Sequence, residues 1–282
     1  MNNELENETI SVIIPTVGRA SLSEAISSVK NQTFRPLEII IVDDSVNQDV
    51  DFLDSQLTVL KTGGGKGASV ARNMGMKNAK SKWMAFLDDD DLWFPNKLEL
   101  QTRLAKKLNL DLVLSGALVN GRRRRPKKIL KVDCSPIRLL YSPLNAIFGL
   151  AYLPTPSILV RRSLTKDISF STMLTAREDV YFLHQIYMAG AKMHQIDEPL
   201  IKVNNHFLFG RARGFTRDGI NQIVDWTIFL GKKRISLGFG FLLGIIVRDA
   251  LISLRFKHLL LVCVHLIRTL RNPDKSEEGG LS

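Results

Sequence analysis

Two short apolar runs rich in β-branched residues, Ile10 to Ile14 and Glu38 to Val42, flank a segment of helical period. That segment, Ser21 to Asn31, puts Leu22, Ala25, Ile26 and Val29 on one face, with Ser21 and Glu24 at capping-box spacing. Strand, helix, strand in that order predicts an α/β chain with buried parallel strands in a doubly wound sheet. Trp83 to Leu87 reads as a further strand. A second helix is expected from Gly67 or Ala68 towards Lys80, where Ala68, Ser69, Ala71 and Gly75 permit close packing. Leu98, Leu100, Leu104 and Leu108 predict a third, entered through Pro95. Val180, Leu183, Ile186 and Tyr187 mark a fourth over Asp179 to Gly190, closed by its glycine. Gly116 to Pro156 reads as irregular.

A length of 282 residues fits one large domain or one domain with an appendage. Cys134 and Cys263 lie too far apart for a disulfide framework or a four-cysteine zinc site, so a reducing compartment is expected. Met1 to Thr9 is polar and acidic and lacks the pattern of a secretory signal, which predicts a cytoplasmic start. The longest uncharged run near the other end, Ile235 to Val247, falls short of the ~20 residues of a spanning helix.

The net charge of +11 raises nucleic acid first, but its distribution argues otherwise. Residues 1–115 carry −3, residues 116–215 carry +10 and residues 216–282 carry +4, with the excess beginning at Arg122. The run Arg122 to Lys128 has no interleaved aromatics and no helix-turn-helix pattern, so it reads as a solvated loop or as a contact for a polyanion. Past Phe215 the composition turns to Leu, Ile, Phe and Arg, which suggests a boundary and a helical C-terminal segment.

Carboxylates follow two of the strands: Asp43-Asp44 after Val42, and Asp88-Asp89-Asp90-Asp91 after Leu87. In open parallel sheets ligands bind outside the carboxyl ends of strands. Four adjacent aspartates repel unless a cation or hydrogen-bond donors neutralise them. Mg²⁺ typically takes one or two carboxylates together with substrate phosphates; the competing reading is a solvated turn in which Asp91 caps the next helix. Gly63 to Gly67 is not a Walker P-loop, because the strand–GxxxxGK[ST]–helix arrangement is absent, and Lys66 acquires no role from spacing.

These pieces, taken in order, resemble the family 2 glycosyltransferases, inverting enzymes of the glycosyltransferase-A fold. The resemblance runs from Ser11 to Asn205. It rests on Ser11 to Thr16, Ile26 to Thr33, Ile41 to Ser45, Gly67 to Gly75, Phe86 to Asp91 with Pro95, Lys97 and Leu98, and Arg177 to Leu183. The chain departs from the family at Val17-Gly18-Arg19, where relatives often carry an aromatic residue and Asn, and at Val46-Asn47-Gln48.

The resemblance implies a Rossmann-like, mostly parallel sheet with flanking helices: a nucleotide-binding half over about 1–115, an acceptor half over 116–215 and the C-terminal segment 216–282. It implies a nucleotide-sugar site built from Pro15, Thr16, Asp43, Asp44, Arg72, Asp88 and Asp89, with uridine as the default base. A divalent metal, Mn²⁺ or Mg²⁺, would be held by Asp90 with Asp88 and, as a further candidate, His206. Asp179 would be the general base, with Glu178 either sharing that role or tuning it, and Thr155, Pro156 and Ser157 would line the acceptor site. The implied reaction moves a sugar to a hydroxyl of a glycan or lipid-linked acceptor in polysaccharide or glycolipid assembly. No nucleic-acid partner is expected. Peripheral contact with the cytoplasmic face of a membrane is, through the basic and apolar C-terminal segment. The alternatives are a non-catalytic sugar-nucleotide or anionic-surface binding module, and a nucleotidyltransferase of related fold.

Overall fold

In the computed structural model, which describes residues 5–46, 57–119, 122–124, 153–172 and 178–204, the first apolar run becomes β1 (Ile10–Thr16). The chain crosses through α1 (Leu22–Lys30) to β2 (Glu38–Asp43), continues to β3 (Leu57–Lys61), and returns through α2 (Ala68–Asn78) to β4 (Trp83–Phe86) on the other side of β1. There follow β5 (Leu92–Trp93), α3 (Lys97–Lys107), β6 (Leu112–Val119), β7 (Arg122–Arg124), β8 (Leu159–Arg161), α4 (Glu178–Met188) and β9 (Met193–Val203). All described residues fall in one compact unit, Met1–Pro136 with Ala151–His206.

Among the described residues these strands form one mixed sheet of order β3-β2-β1-β4-β8-β6-β9-β5, with β7 beside β6. The β3-β2-β1-β4 side is parallel throughout, while β8 runs antiparallel to both β4 and β6. Both faces of the parallel side are covered. Leu22, Ala25, Ile26 and Val29 of α1 pack in one core cluster with Ile10, Val12 and Ile14, whereas Gly75 of α2 lies against Ile13. A Cβ at Gly75 would stand 2.4 Å from Ile13 Cγ2, so this helix needs a bare backbone to sit that close.

Two expectations change. Ser21 makes no capping bond: its own backbone is helical (φ −66°, ψ −15°), whereas a capping residue holds extended angles that aim its hydroxyl at the first amides. Gly116 lies not in an irregular stretch but inside β6, at a register shift where Asp197 and Glu198 bulge from β9. A Cβ on Gly116 would meet the Asp197 carbonyl at 2.7 Å, so the bulge passes over a residue without a side chain. Among the described residues no helix is long and apolar enough to cross a membrane. His206, the segment 216–282 and most of the Arg122 to Lys128 run lie outside the described residues, apart from the β7 backbone.

Candidate active site

The reversal of strand order falls between β1 and β4, and the candidate residues gather at that carboxyl edge. Thr16 pairs with Asp43 at the ends of β1 and β2, and the Leu87 N–H donates to the Ile13 carbonyl where β4 ends. Residues of a parallel strand face alternate neighbours, so Pro15, like Ile13, faces β4. Its missing N–H falls just past the last rung of that ladder, where it costs no bond.

The four aspartates divide by alternation. Asp89 is 1% exposed and is wholly engaged by the β1 loop: its Oδ2 accepts from Thr16 Oγ1 at 2.7 Å and from the Val17 N–H at 3.4 Å, and its Oδ1 pairs with Arg19. Asp91 is likewise buried and accepts the Asn204 N–H from the end of β9 at 3.0 Å. Asp88 and Asp90 are half-buried, and Asp88 Oδ1 accepts from Arg72. Alternate residues of the tetrad, Asp89 and Asp91, thus bond to the ends of β1 and β9, while Asp88 and Asp90 are less buried at the same edge.

Asp44 is buried beneath the glycine-rich loop. Its carboxylate accepts the Lys66 N–H at 2.8 Å, the Gly67 N–H at 2.7 Å and the Thr62 hydroxyl. The loop can fold this way because Gly63, Gly64, Gly65 and Gly67 all have φ between +65° and +93°. Asp43 accepts the Ser45 N–H at 2.9 Å and so turns the chain out of β2.

Arg72 projects from α2 into the space behind Asp88. Its guanidinium donates to Asp88 Oδ1 at 2.7 Å and to Glu178 Oε1 at 3.2 Å, and it lies 5.3 Å from the centre of the Phe170 ring. Burial, the largest influence, would lower its pKa, but Asp88 and Glu178 outweigh it and hold the pKa above the ordinary arginine value. Arg19 follows the same balance, with burial opposed and exceeded by Asp89 and, further off, Asp90 and Asp88. Glu178 and Asp179 open α4, both half-buried, and Asp179 Oδ1 accepts the Val180 N–H at 2.7 Å.

Among the described residues no group of three or more His, Cys, Asp or Glu side chains could hold a metal by itself. The hard carboxylates Asp88 and Asp90 suit a divalent ion that draws its other ligands from phosphate and water, so the residues present fit one. Thr155–Ser157 form a short 3-10 turn that is buried, with the Pro156 carbonyl accepting from Trp93 Nε1 at 3.1 Å and the Ser157 carbonyl from Gln101 Nε2 at 2.7 Å. Sequence reasoning gave no role to Arg19, Asn73 or Phe170. Their partners lie 70 and 97 residues away, and no local pattern announces them.

The family model for glycosyl transferase family 2 matches residues 11–168. The Escherichia coli UDP-Glc:alpha-D-GlcNAc-diphosphoundecaprenol beta-1,3-glucosyltransferase WfgD is 29% identical over 184 residues, covering 63% of this chain and 69% of that protein. An uncharacterized glycosyltransferase of Rickettsia conorii is 38% identical over 117 residues, and the chain spans only 19% of its length. Among solved structures, S. aureus TarS 1–349 in complex with UDP-GlcNAc superposes with a TM-score of 0.68 at 18% identity, covering 93% of this chain and 81% of that one. At that identity the likeness is one of fold.

Proposed function

The chain belongs to glycosyl transferase family 2, and we propose that it transfers a sugar, with inversion, from a UDP-sugar to a hydroxyl of a lipid-linked glycan. The observation that carries this reading is the meeting, at one strand edge, of two half-buried aspartates and a pair of carboxylates on a helix, joined through Arg72.

Asp88 and Asp90 would take the donor diphosphate through a divalent cation, which supplies Lewis-acid neutralisation of the departing nucleotide. Asp44, with the loop that wraps it, shapes the pocket for the base, and Asp43, Pro15 and Thr16 form its wall. Asp89 acts on that pocket by fixing the β1 loop. Uridine is supported by the UDP-sugars named for two of the similar proteins.

Asp179 is the general base, accepting the proton of the acceptor hydroxyl as its oxygen attacks the anomeric carbon from the face opposite the leaving group. Glu178 is held by Arg72 as a structural carboxylate beside it. A lipid-linked acceptor agrees with the printed activity of the E. coli relative and with the basic excess of residues 116–282, which would draw the enzyme to an anionic membrane surface.

Titrating UDP-glucose and UDP-GlcNAc with and without Mn²⁺ tests the donor site. Binding is expected to strengthen with metal in the wild type and to lose that dependence in Asp90→Ala. Metal-independent binding in both proteins would remove the metal from the account.

A further inference from the structure

The Asn73 side chain makes two bonds to a single backbone unit far along the chain. Its Nδ2 donates to the Phe170 carbonyl and its Oδ1 accepts the Phe170 N–H, each at 2.8 Å. A carboxamide carries one donor and one acceptor group in fixed relation, so it engages both polar groups of one residue much as a neighbouring strand does.

Phe170 in turn grips α4. Its ring lies 4.2 Å from that of Phe182 with the planes 7° apart, and meets Phe86 of β4 edge-on at 5.2 Å. Gln185 Nε2 adds a bond to the Ser169 carbonyl at 2.9 Å. Because α2 is seated on the sheet through Gly75 and Ile13, Asn73 connects α4 to the strand edge that carries Asp88. Arg72 makes the same connection through charge and is needed at Asp88 as well. Asn73 makes it through two uncharged hydrogen bonds to the Phe170 backbone, with no bond from its side chain to Asp88 or Glu178.

We propose that Asn73 is a positioning residue for the catalytic base: through Phe170 and Phe182 it sets where the first turn of α4 presents Glu178 and Asp179. The role rests on the reading of Asp179 as base. A displacement of about 1 Å at a reacting group can cost on the order of 10²-fold in rate, which is the scale at issue.

The test measures Asn73→Ala and Asn73→Asp for kcat, for UDP affinity with Mn²⁺, and for amide hydrogen exchange. Asn73→Ala is expected to lower kcat by about 10- to 100-fold while leaving nucleotide affinity within about twofold. Amides of residues 180–183 should exchange faster, and those of β1, β2 and β4 should not change. Asn73→Asp keeps the bond from the Phe170 N–H but turns an acceptor oxygen towards the Phe170 carbonyl, so it too should lower kcat and loosen α4. An unchanged kcat, a parallel loss of kcat and nucleotide affinity, or unchanged exchange in α4 would each overturn the proposal. Should the wild type transfer no sugar, faster exchange in α4 would sustain the anchoring role while the transferase reading failed.

Discussion

Arg72 Nη1 stands 3.2 Å from Glu178 Oε1, joining α2 to the first turn of α4 across 106 residues of sequence. Its other terminal nitrogen reaches Asp88, so one buried guanidinium bridges the aspartate edge after β4 and the helix of the candidate base. A planar fork suits that task, since one cation answers two carboxylates in different directions.

Replacing it removes both contacts at once. Arg72→Met leaves both carboxylates without a cation and should cost about 2 kcal/mol in urea unfolding, below the usual figure for a broken buried pair because Asp88 and Glu178 side chains are 29% and 23% exposed. Arg72→Lys, a single point charge, should restore less than half of the lost stability. Full recovery by lysine would mean that charge alone matters there.

Asp89 is a buried acceptor for three donors, whereas the side chain of its partner Arg19 is 45% exposed. Asp89→Asn places an amide against those donors and should destabilise by about 1–3 kcal/mol. Arg19→Ala should cost less, because the Arg19 side chain is largely hydrated and Thr16 and Val17 still donate to Asp89. The reverse order in denaturation midpoints would contradict the view that Asp89 locks β1 to β4.

The glycine-rich loop gives a paired comparison. Gly63 and Gly64 both have left-handed backbones, but a Cβ at Gly63 meets nothing within 4 Å, whereas one at Gly64 would lie 2.7 Å from the Ser45 carbonyl. Gly63→Ala should cost about 1 kcal/mol, the left-handed penalty alone. Gly64→Ala must also move the backbone that follows Asp44, so it should lose clearly more stability and weaken nucleotide binding. Equal effects in thermal unfolding and nucleotide titration would remove the loop from the donor pocket.

Lys97 is fully buried, with its Nζ bonded to Gln101 Oε1 at 2.8 Å and 4.0 Å from the Trp93 ring. Burial pushes its pKa well below the ordinary lysine value. Between that lowered pKa and the ordinary one near 10.4 the unfolded chain binds more protons, so this group makes stability rise with pH and fall as pH drops. Lys97→Met should flatten that slope, its stability difference from wild type changing steadily as pH rises towards 10. A pH-independent difference would show that the amine stays charged in the fold.

The sequence made β1, β2, β4, α1 and α4 legible because their apolar residues are regular in period and mostly buried. It marked α2 instead by small residues after a glycine-rich loop, and α3 by leucines of which Leu98 is buried but Leu108 exposed, the inner face of α3 carrying Lys97, Gln101 and Thr102. It did not reveal β3, a five-residue edge strand with no fully buried side chain, or β9, whose alternation is broken by Asp197, Glu198 and Pro199 at the bulge. The aspartate cluster marked a candidate ligand edge, but one-dimensional order could not divide Asp88 and Asp90 from Asp89 and Asp91. That division depends on which strand ends lie alongside, and Thr16, Arg19 and Asn204 come from distant parts of the chain. The Arg72 bridge was hidden for the same reason.

In the proposed reaction Asp179 takes the acceptor proton in a single displacement that releases a nucleoside diphosphate. Turnover of a UDP-sugar with Mn²⁺ and a lipid-diphosphate-linked GlcNAc acceptor, assayed for both UDP and pyrophosphate, tests it most directly. The expected result is UDP equal to the sugar transferred, no pyrophosphate, and turnover abolished in Asp179→Asn while UDP binding persists. Pyrophosphate release, or full turnover by Asp179→Asn, would contradict it.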